Sequence, residues 1–192
     1  MPKRRRSIIA ATALMVLALD AVAADAQGEP WIEGFAFGIV AHDRGPTSDE
    51  YESGVDPNIE VRLRGPRWPA WRAIGAPSLH AGLTPNFSGD TSALYGGITY
   101  DWNMGLRGFL SGGAGVAVHD GPLHAADRTR CEQDSDCGFG SRGLWRVALE
   151  LGIRISGDQA ITLFYDHMSH YGTLADENEG IDHTGIRYHW RY

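Results

Sequence analysis

Residues 161–192 read ITLFYDHMSHYGTLADENEGIDHTGIRYHWRY. Taken in twos, Ile161, Leu163, Tyr165, His167 and Ser169 fall on one face of an extended strand, because successive side chains of a strand point to opposite sides. The closing run repeats the pattern. Asp182, Thr184, Ile186, Tyr188, Trp190 and Tyr192 share one face, and His183, Arg187, His189 and Arg191 share the other. A histidine, a serine and an aspartate thus continue the apolar rows of two neighbouring strands. A water-soluble fold would bury those rows, whereas a membrane barrel would turn them toward lipid.

Upstream segments favour the second arrangement. Trp145, Val147, Leu149, Leu151 and Ile153 alternate with Arg146, Glu150 and Arg154, and Ile59, Val61 and Leu63 alternate with Glu60, Arg62 and Arg64. One wholly apolar face beside one charged face is the signature of a strand between lipid and a wet interior. The alternation predicts strands over 31–41, 59–64, 77–86, 92–102, 107–118, 141–155, 159–169 and 181–192. Residues 42–57 and 119–140 are expected to be loops, and 103–106 and 156–158 tight turns. Eight strands of about ten residues, an even number, fit a small closed antiparallel transmembrane β-barrel of the outer-membrane type. Residues 65–77 carry three prolines with Trp68 and Trp71, a composition suited to a connection at a membrane interface.

The chain opens with a basic Met-Pro-Lys-Arg-Arg-Arg, an apolar Ser7–Leu19 and small residues around Ala21–Ala26, which reads as a secretory signal over 1–26 ahead of a barrel domain over 27–192. The formal net charge of −7 becomes more negative once the four basic residues of that leader are removed, which argues against a nucleic-acid partner. Two cysteines, Cys131 and Cys137, lie in one acidic loop and are expected to pair in an oxidising compartment. His167, His170 and His183, with Asp166 and Asp182, are side chains of the metal-binding kind. Alternation divides them between the two faces, so neither a metal nor a cofactor is expected from that set. Charged lumen residues, Glu60, Arg62, Arg146, Glu150, Arg154 and Arg187, should form an ion-paired plug, because eight strands leave little room for a channel.

His167 and Ser169, two residues apart, lie about 6.5 to 7 Å from each other along one face, a gap an imidazole can span toward a hydroxyl. A serine hydroxyl needs such a base to act as a nucleophile, and the base needs an acid to hold its tautomer. The segments Asp166-His167-Met168-Ser169 and Asn178-Glu179-Gly180-Ile181-Asp182, then Gly185 and a terminal aromatic strand, resemble the lipid A 3-O-deacylases of the PagL type. Gly115 to Gly121, Phe139-Gly140-Ser141-Arg142 and Glu150-Leu151-Gly152 are also similar to that family. The likeness covers residues 77–192 best. It implies an outer-membrane serine esterase that removes the ester-linked 3-hydroxyacyl chain from the 3-position of lipid A, with lipopolysaccharide of the outer leaflet as its partner and a homodimer left open. By position, His167 is the general base, Ser169 the nucleophile and Asp182 the acid, while Asn178 and the backbone at Tyr171 serve the oxyanion. Two departures stand out. The family pattern has Glu where Asp182 stands, one residue nearer the histidine, so Glu179 is an alternative acid; and His170 replaces an Asn after the serine. The rival reading from another class is a non-enzymatic or catalytically degenerate small barrel serving adhesion or envelope integrity. A soluble lipocalin-like barrel is a third, which requires the polar face to point outward.

Overall fold

The computed structural model describes residues 31–124 and 137–191. Eight antiparallel strands close on themselves: β1 (Ile32–His42), β2 (Val55–Leu63), β3 (Ser78–Thr84), β4 (Ala93–Met104), β5 (Gly108–His119), β6 (Gly143–Arg154), β7 (Gln159–Ser169) and β8 (Ile181–Arg191). Each pairs with its neighbour in sequence, and β1 pairs with β8 from Gly34–Arg191 to His42–His183. Closure leaves no strand edge in the barrel wall unpaired, which is the condition for crossing a bilayer with strands.

The two faces separate as the alternation requires. Phe37, Ile39, Val116, Val118, Leu149, Leu151, Leu163 and Ile186 are exposed on the outside, with Trp145, Tyr188 and Trp190 among them. Glu60, Arg62, Arg146, Glu150, Asp166, Arg187 and His189 are buried inside. This outward apolar surface is inverted relative to a soluble barrel and excludes the lipocalin-like arrangement.

The lumen is packed by paired charges. Glu150 accepts from Arg62 Nη2 at 2.8 Å, Arg187 Nη1 at 3.2 Å, Thr162 Oγ1 at 2.8 Å and His189 Nε2 at 2.7 Å. Arg187 also meets Glu60 at 2.8 Å, and Arg146 meets Asp166 at 2.6 Å. The Arg146 guanidinium lies 3.8 Å from the centre of the Tyr95 ring, and that of Arg187 lies 4.3 Å from the centre of the Phe164 ring, positions in which a cation is attracted to the ring face. The gap among Glu60, Thr99, Ser111, Arg146 and Glu150 is no larger than a water molecule, so Glu60, Arg62, Arg146, Glu150 and Arg187 form the expected plug, whereas Arg154 lies outside it, at the exposed strand end, donating to Asn103 Oδ1 at 2.7 Å. Beyond the ionic layer, toward the end bearing the long loops, Tyr95, Ala117, Phe139, Leu144, Met168 and Ile181 form an apolar cluster.

One expectation is corrected. Residues 42–57 are not all loop, because β2 begins at Val55 and runs through Asp56-Pro57-Asn58. These polar and turn-forming residues look loop-like in sequence, yet Asp56 and Asn58 point into the polar lumen, where Asn58 donates to Thr84 Oγ1 at 2.8 Å. The 65–77 connection holds a short helix, α1 (Pro69–Ala73), with proline in its first turn, where the missing N–H is no loss. Trp71 donates its indole N–H to the Pro77 carbonyl at 2.9 Å, and Tyr100 on β4 donates to the Ile74 carbonyl at 2.7 Å. The connection is thereby folded back on the barrel rim. The expected leader over 1–26 lies outside the described residues, as does Cys131. Cys137 is fully buried.

Neighbouring positions on β6 provide a test of the two faces. Glu150→Ala leaves two buried guanidinium groups without their shared carboxylate and should cost about 3 to 5 kcal/mol. Leu149→Arg, placed on the outer face near the middle of the strand, should cost about 2 to 4 kcal/mol. Urea unfolding of the barrel in detergent or lipid measures both, and a lipid-free soluble fold would tolerate Leu149→Arg.

Candidate active site on the outer face of strands seven and eight

Antiparallel pairing places His167 directly opposite Asp182. Their side chains leave the barrel on the outer face, and the imidazole Nδ1 lies 2.7 Å from Asp182 Oδ1. Ser169 follows two residues after His167 on the same face, beside Trp145 of β6. All three would be exposed on a bare barrel wall, yet His167 is 9% exposed, Ser169 2% and Asp182 0%. Loops cover them.

The cover over Asp182 comes from the β1–β2 loop, 135 residues away in the sequence. Thr47 donates its backbone N–H to Asp182 Oδ2 at 2.9 Å. Its hydroxyl lies 2.8 Å from Asp182 Oδ1 and 3.0 Å from Oδ2, and 2.8 Å from His167 Nδ1. Tyr165 adds a fourth contact, its hydroxyl donating to Asp182 Oδ1 at 3.2 Å. The loop backbone is fixed in turn: Arg44 N–H donates to the Asp182 carbonyl at 3.0 Å, and Thr184 Oγ1 donates to the Arg44 carbonyl at 2.7 Å. Gly45 lies flush against the Asp182 carboxylate, where a Cβ would stand 2.2 Å from Oδ2. A carboxylate with this many donors is held in one rotamer. With Nδ1 facing that carboxylate, the ring orientation is fixed and Nε2 points away from it.

On the other side, Gly180 backs the imidazole, since a Cβ there would meet His167 Cε1 at 2.6 Å. The β7–β8 loop folds tightly over Ser169. Tyr171 takes a left-handed backbone conformation, φ 52°, which costs a non-glycine residue energy and marks a constrained turn. Its N–H donates to Ser169 Oγ at 3.3 Å, and its ring centre lies 5.8 Å from that of His167. Asn178 accepts from the His170 N–H through Oδ1 at 3.0 Å, so it shapes this turn from across the loop. His170 is completely buried, with Nε2 donating to the Glu177 carbonyl at 2.8 Å and Nδ1 accepting from the Leu174 N–H at 3.4 Å. It braces the loop from within.

The structure thus pairs His167 with Asp182 and places Ser169, Tyr171 and Asn178 at the same end of β7 and β8, where the hydrogen bond of Ser169 Oγ is the one from the Tyr171 N–H. Thr47 and Tyr165 were not expected. Tyr165 stands on the same face as His167 and could have been found from alternation; nothing local to Thr47 points to Asp182. Chemically, the set comprises a hydroxyl, an imidazole paired with a carboxylate, and backbone N–H groups at a tight turn, all beside an apolar wall.

Comparison with known proteins adds to this geometry. Residues 58–191 match the family model described as Lipid A 3-O-deacylase (PagL). Among solved structures, the chain is similar to the outer membrane enzyme PagL (TM-score 0.53, 18% identity, covering 82% of this chain and 99% of that one). It is also similar to Neisserial surface protein A, NspA (TM-score 0.51, 9% identity, covering 84% and 97%). At these identities the structural likeness concerns the fold. No curated protein matches the chain. The family match runs from within β2 through β8 and includes Tyr165, His167, Ser169, Tyr171, Asn178 and Asp182, with the β1–β2 loop outside it, and the chain is a member of the lipid A 3-O-deacylase (PagL) family of outer-membrane β-barrels.

Proposed function

We propose that the protein is a serine esterase that removes the ester-linked 3-hydroxyacyl chain from the 3-position of lipid A, working at the outer leaflet of the bacterial outer membrane. The observation that carries this reading is the His167–Asp182 pair, locked at 2.7 Å on the lipid-facing side of the barrel with Ser169 two residues along the same face.

In this mechanism the Ser169 hydroxyl attacks the ester carbonyl carbon while His167 Nε2 takes its proton. Asp182 keeps the other imidazole proton on Nδ1 and stabilises the imidazolium that forms. The oxyanion is met by the Tyr171 N–H and the Asn178 side-chain amide. Collapse of the tetrahedral intermediate breaks the bond to the sugar oxygen, which receives the proton from His167. Water, activated by His167, then hydrolyses the acyl-serine and releases a 3-hydroxy fatty acid. The exposed Trp145, Val147, Leu149 and Leu163 lead from Ser169 along the outer wall and provide an apolar track for the acyl chain in the membrane plane. A substrate that enters sideways from lipid needs no cavity through the barrel. The expected Cys131–Cys137 pair belongs to the same reading, as a staple in the neighbouring loop.

Thr47 is a positioning residue: it holds Asp182, which holds His167. Mass spectrometry of lipid A after incubation with the refolded protein should show loss of one 3-hydroxyacyl chain, and Ser169→Ala should abolish it with the barrel still folded. Unchanged lipid A with the unmutated, folded protein would favour the non-enzymatic barrel. Asp182→Asn should lower kcat by about 10⁴-fold, as when a triad acid loses the correct tautomer.

Thr47→Val removes the hydroxyl but keeps the backbone N–H, and should lower kcat by roughly tenfold, about 1.4 kcal/mol in barrier, with KM little changed. A change confined to KM would place Thr47 in substrate binding instead.

A further inference from the structure

Directly behind the candidate esterase site, on the lumenal side of the same strand ends, three other side chains converge. His42 ends β1, Asp56 lies near the start of β2, and His183 follows Asp182 on β8. His42 and His183 are cross-strand partners with ring centres 5.3 Å apart. One ligand-type atom from each of the three lies within 4.8 Å of the others, and none of the residues is more than 1% exposed.

The outward-facing nitrogen of each imidazole is held by a separate carboxylate. His42 Nε2 donates to Glu52 Oε2 at 2.8 Å, and Glu52 is itself fixed by the Thr91 hydroxyl at 2.8 Å. His183 Nδ1 donates to Asp166 Oδ1 at 2.9 Å, and Asp166 is ion-paired with Arg146. Asp56 accepts from Asn86 Nδ2 through Oδ1 at 3.0 Å, leaving Oδ2 against His42 Nδ1 at 2.5 Å. These contacts point three atoms inward: His42 Nδ1, Asp56 Oδ2 and His183 Nε2. The last is buried without a hydrogen-bond partner. A buried imidazole nitrogen is seldom left in that state, because its lost hydration goes uncompensated.

We propose that His42 Nδ1, His183 Nε2 and Asp56 Oδ2 bind one divalent transition-metal ion of the zinc class, with a water in the fourth position. Two imidazoles and a carboxylate, each imidazole braced by a carboxylate through its other nitrogen, is the arrangement by which proteins orient metal-binding histidines. The nitrogen-rich set favours zinc over calcium or magnesium, which take oxygen ligands. Binding displaces the proton shared by His42 and Asp56, so uptake releases a proton to solvent. Bonds near 2.0 to 2.2 Å in a tetrahedral site set the ligand atoms about 3.4 Å apart, so loss of the shared proton lets His42 Nδ1 and Asp56 Oδ2 separate from 2.5 Å as the ion enters between them and His183 Nε2. The ion then ties β1, β2 and β8 together where the β1–β2 loop departs. This site faces away from His167 and Ser169, and it stands whether or not the barrel is an esterase.

Because the ligand atoms are closed off from solvent, Zn²⁺ is supplied during refolding of the full chain in detergent, followed by dialysis and elemental analysis. One zinc per chain is expected, with Ca²⁺ and Mg²⁺ not retained under the same treatment. Co²⁺ in place of zinc should give the visible absorption of a four-coordinate nitrogen–oxygen site. His183→Ala should lower bound zinc at least tenfold, whereas replacing the exposed His124 (His124→Ala) should leave it unchanged. His183→Gln, closer in size, is measured alongside in case the alanine variant does not fold. The proposal is overturned if the unmutated barrel, shown folded by its unheated gel mobility, retains no stoichiometric zinc, or if a folded His183 variant retains it fully.

Discussion

A chain that crosses lipid as strands has to pair every backbone N–H and C=O within its own wall, and closure of β1 onto β8 meets that demand here. Everything else follows from the two surfaces that closure creates. The outer one must be apolar over the membrane span. The inner one is too narrow for bulk water and too polar for a hydrocarbon core, so its charges have to neutralise one another. Glu150 shows how tightly: one carboxylate serves Arg62, Arg187, His189 and Thr162 at once. Removing any one of these partners leaves a charge or a polar group that cannot be rehydrated inside the wall.

The candidate site uses a zone where this separation of faces relaxes. At the ends of β7 and β8 the outer row continues from Leu163 and Ile186 into His167, Ser169 and Asp182, and the loops fold over it. Polar groups on an outer face at mid-membrane would be costly. At the strand ends, covered by Gly45 and Thr47, they are satisfied by neighbouring donors and kept dry enough for the Asp182–His167 contact to be strong. The apolar wall leads directly to the hydroxyl.

Much of this was legible in the sequence, for a physical reason. Strands six to eight alternate cleanly because each residue meets either lipid or charge, and a period of two then fixes both the strand and its face. That period also placed His167, Ser169 and Asp182 on one side, and the pairing of β7 with β8 brought the histidine and the aspartate together. The start of β2 was misread because Asp56-Pro57-Asn58 has the composition of a turn, whereas a polar lumen accepts Asp56 and Asn58 as ordinary inward residues. Helix α1 was missed because a five-residue helix among prolines has no period to detect. Thr47 was invisible for a different reason: its meaning lies in a contact to Asp182 across the closure of the barrel, and neither loop carries a local mark of the other.

The β1–β2 loop is the element that joins the two faces. Asp43 sets its bend, with a left-handed φ of 51° and its carboxylate accepting from Ser48 Oγ at 2.5 Å and from the Glu52 N–H at 2.8 Å. From that brace, Thr47 reaches over the outer wall to Asp182, and Glu52 reaches over the rim to His42 in the lumen. Asp182 and His183 are consecutive on β8 and point in opposite directions, one toward each of these contacts. A displacement of the loop that releases Glu52 from His42 therefore shifts the segment that carries Thr47, and the short, doubly fixed arc between residues 43 and 52 leaves little slack to absorb it. The order of the lumenal histidines and the orientation of the outer carboxylate are consequently properties of one loop conformation, even though the barrel wall stands between them.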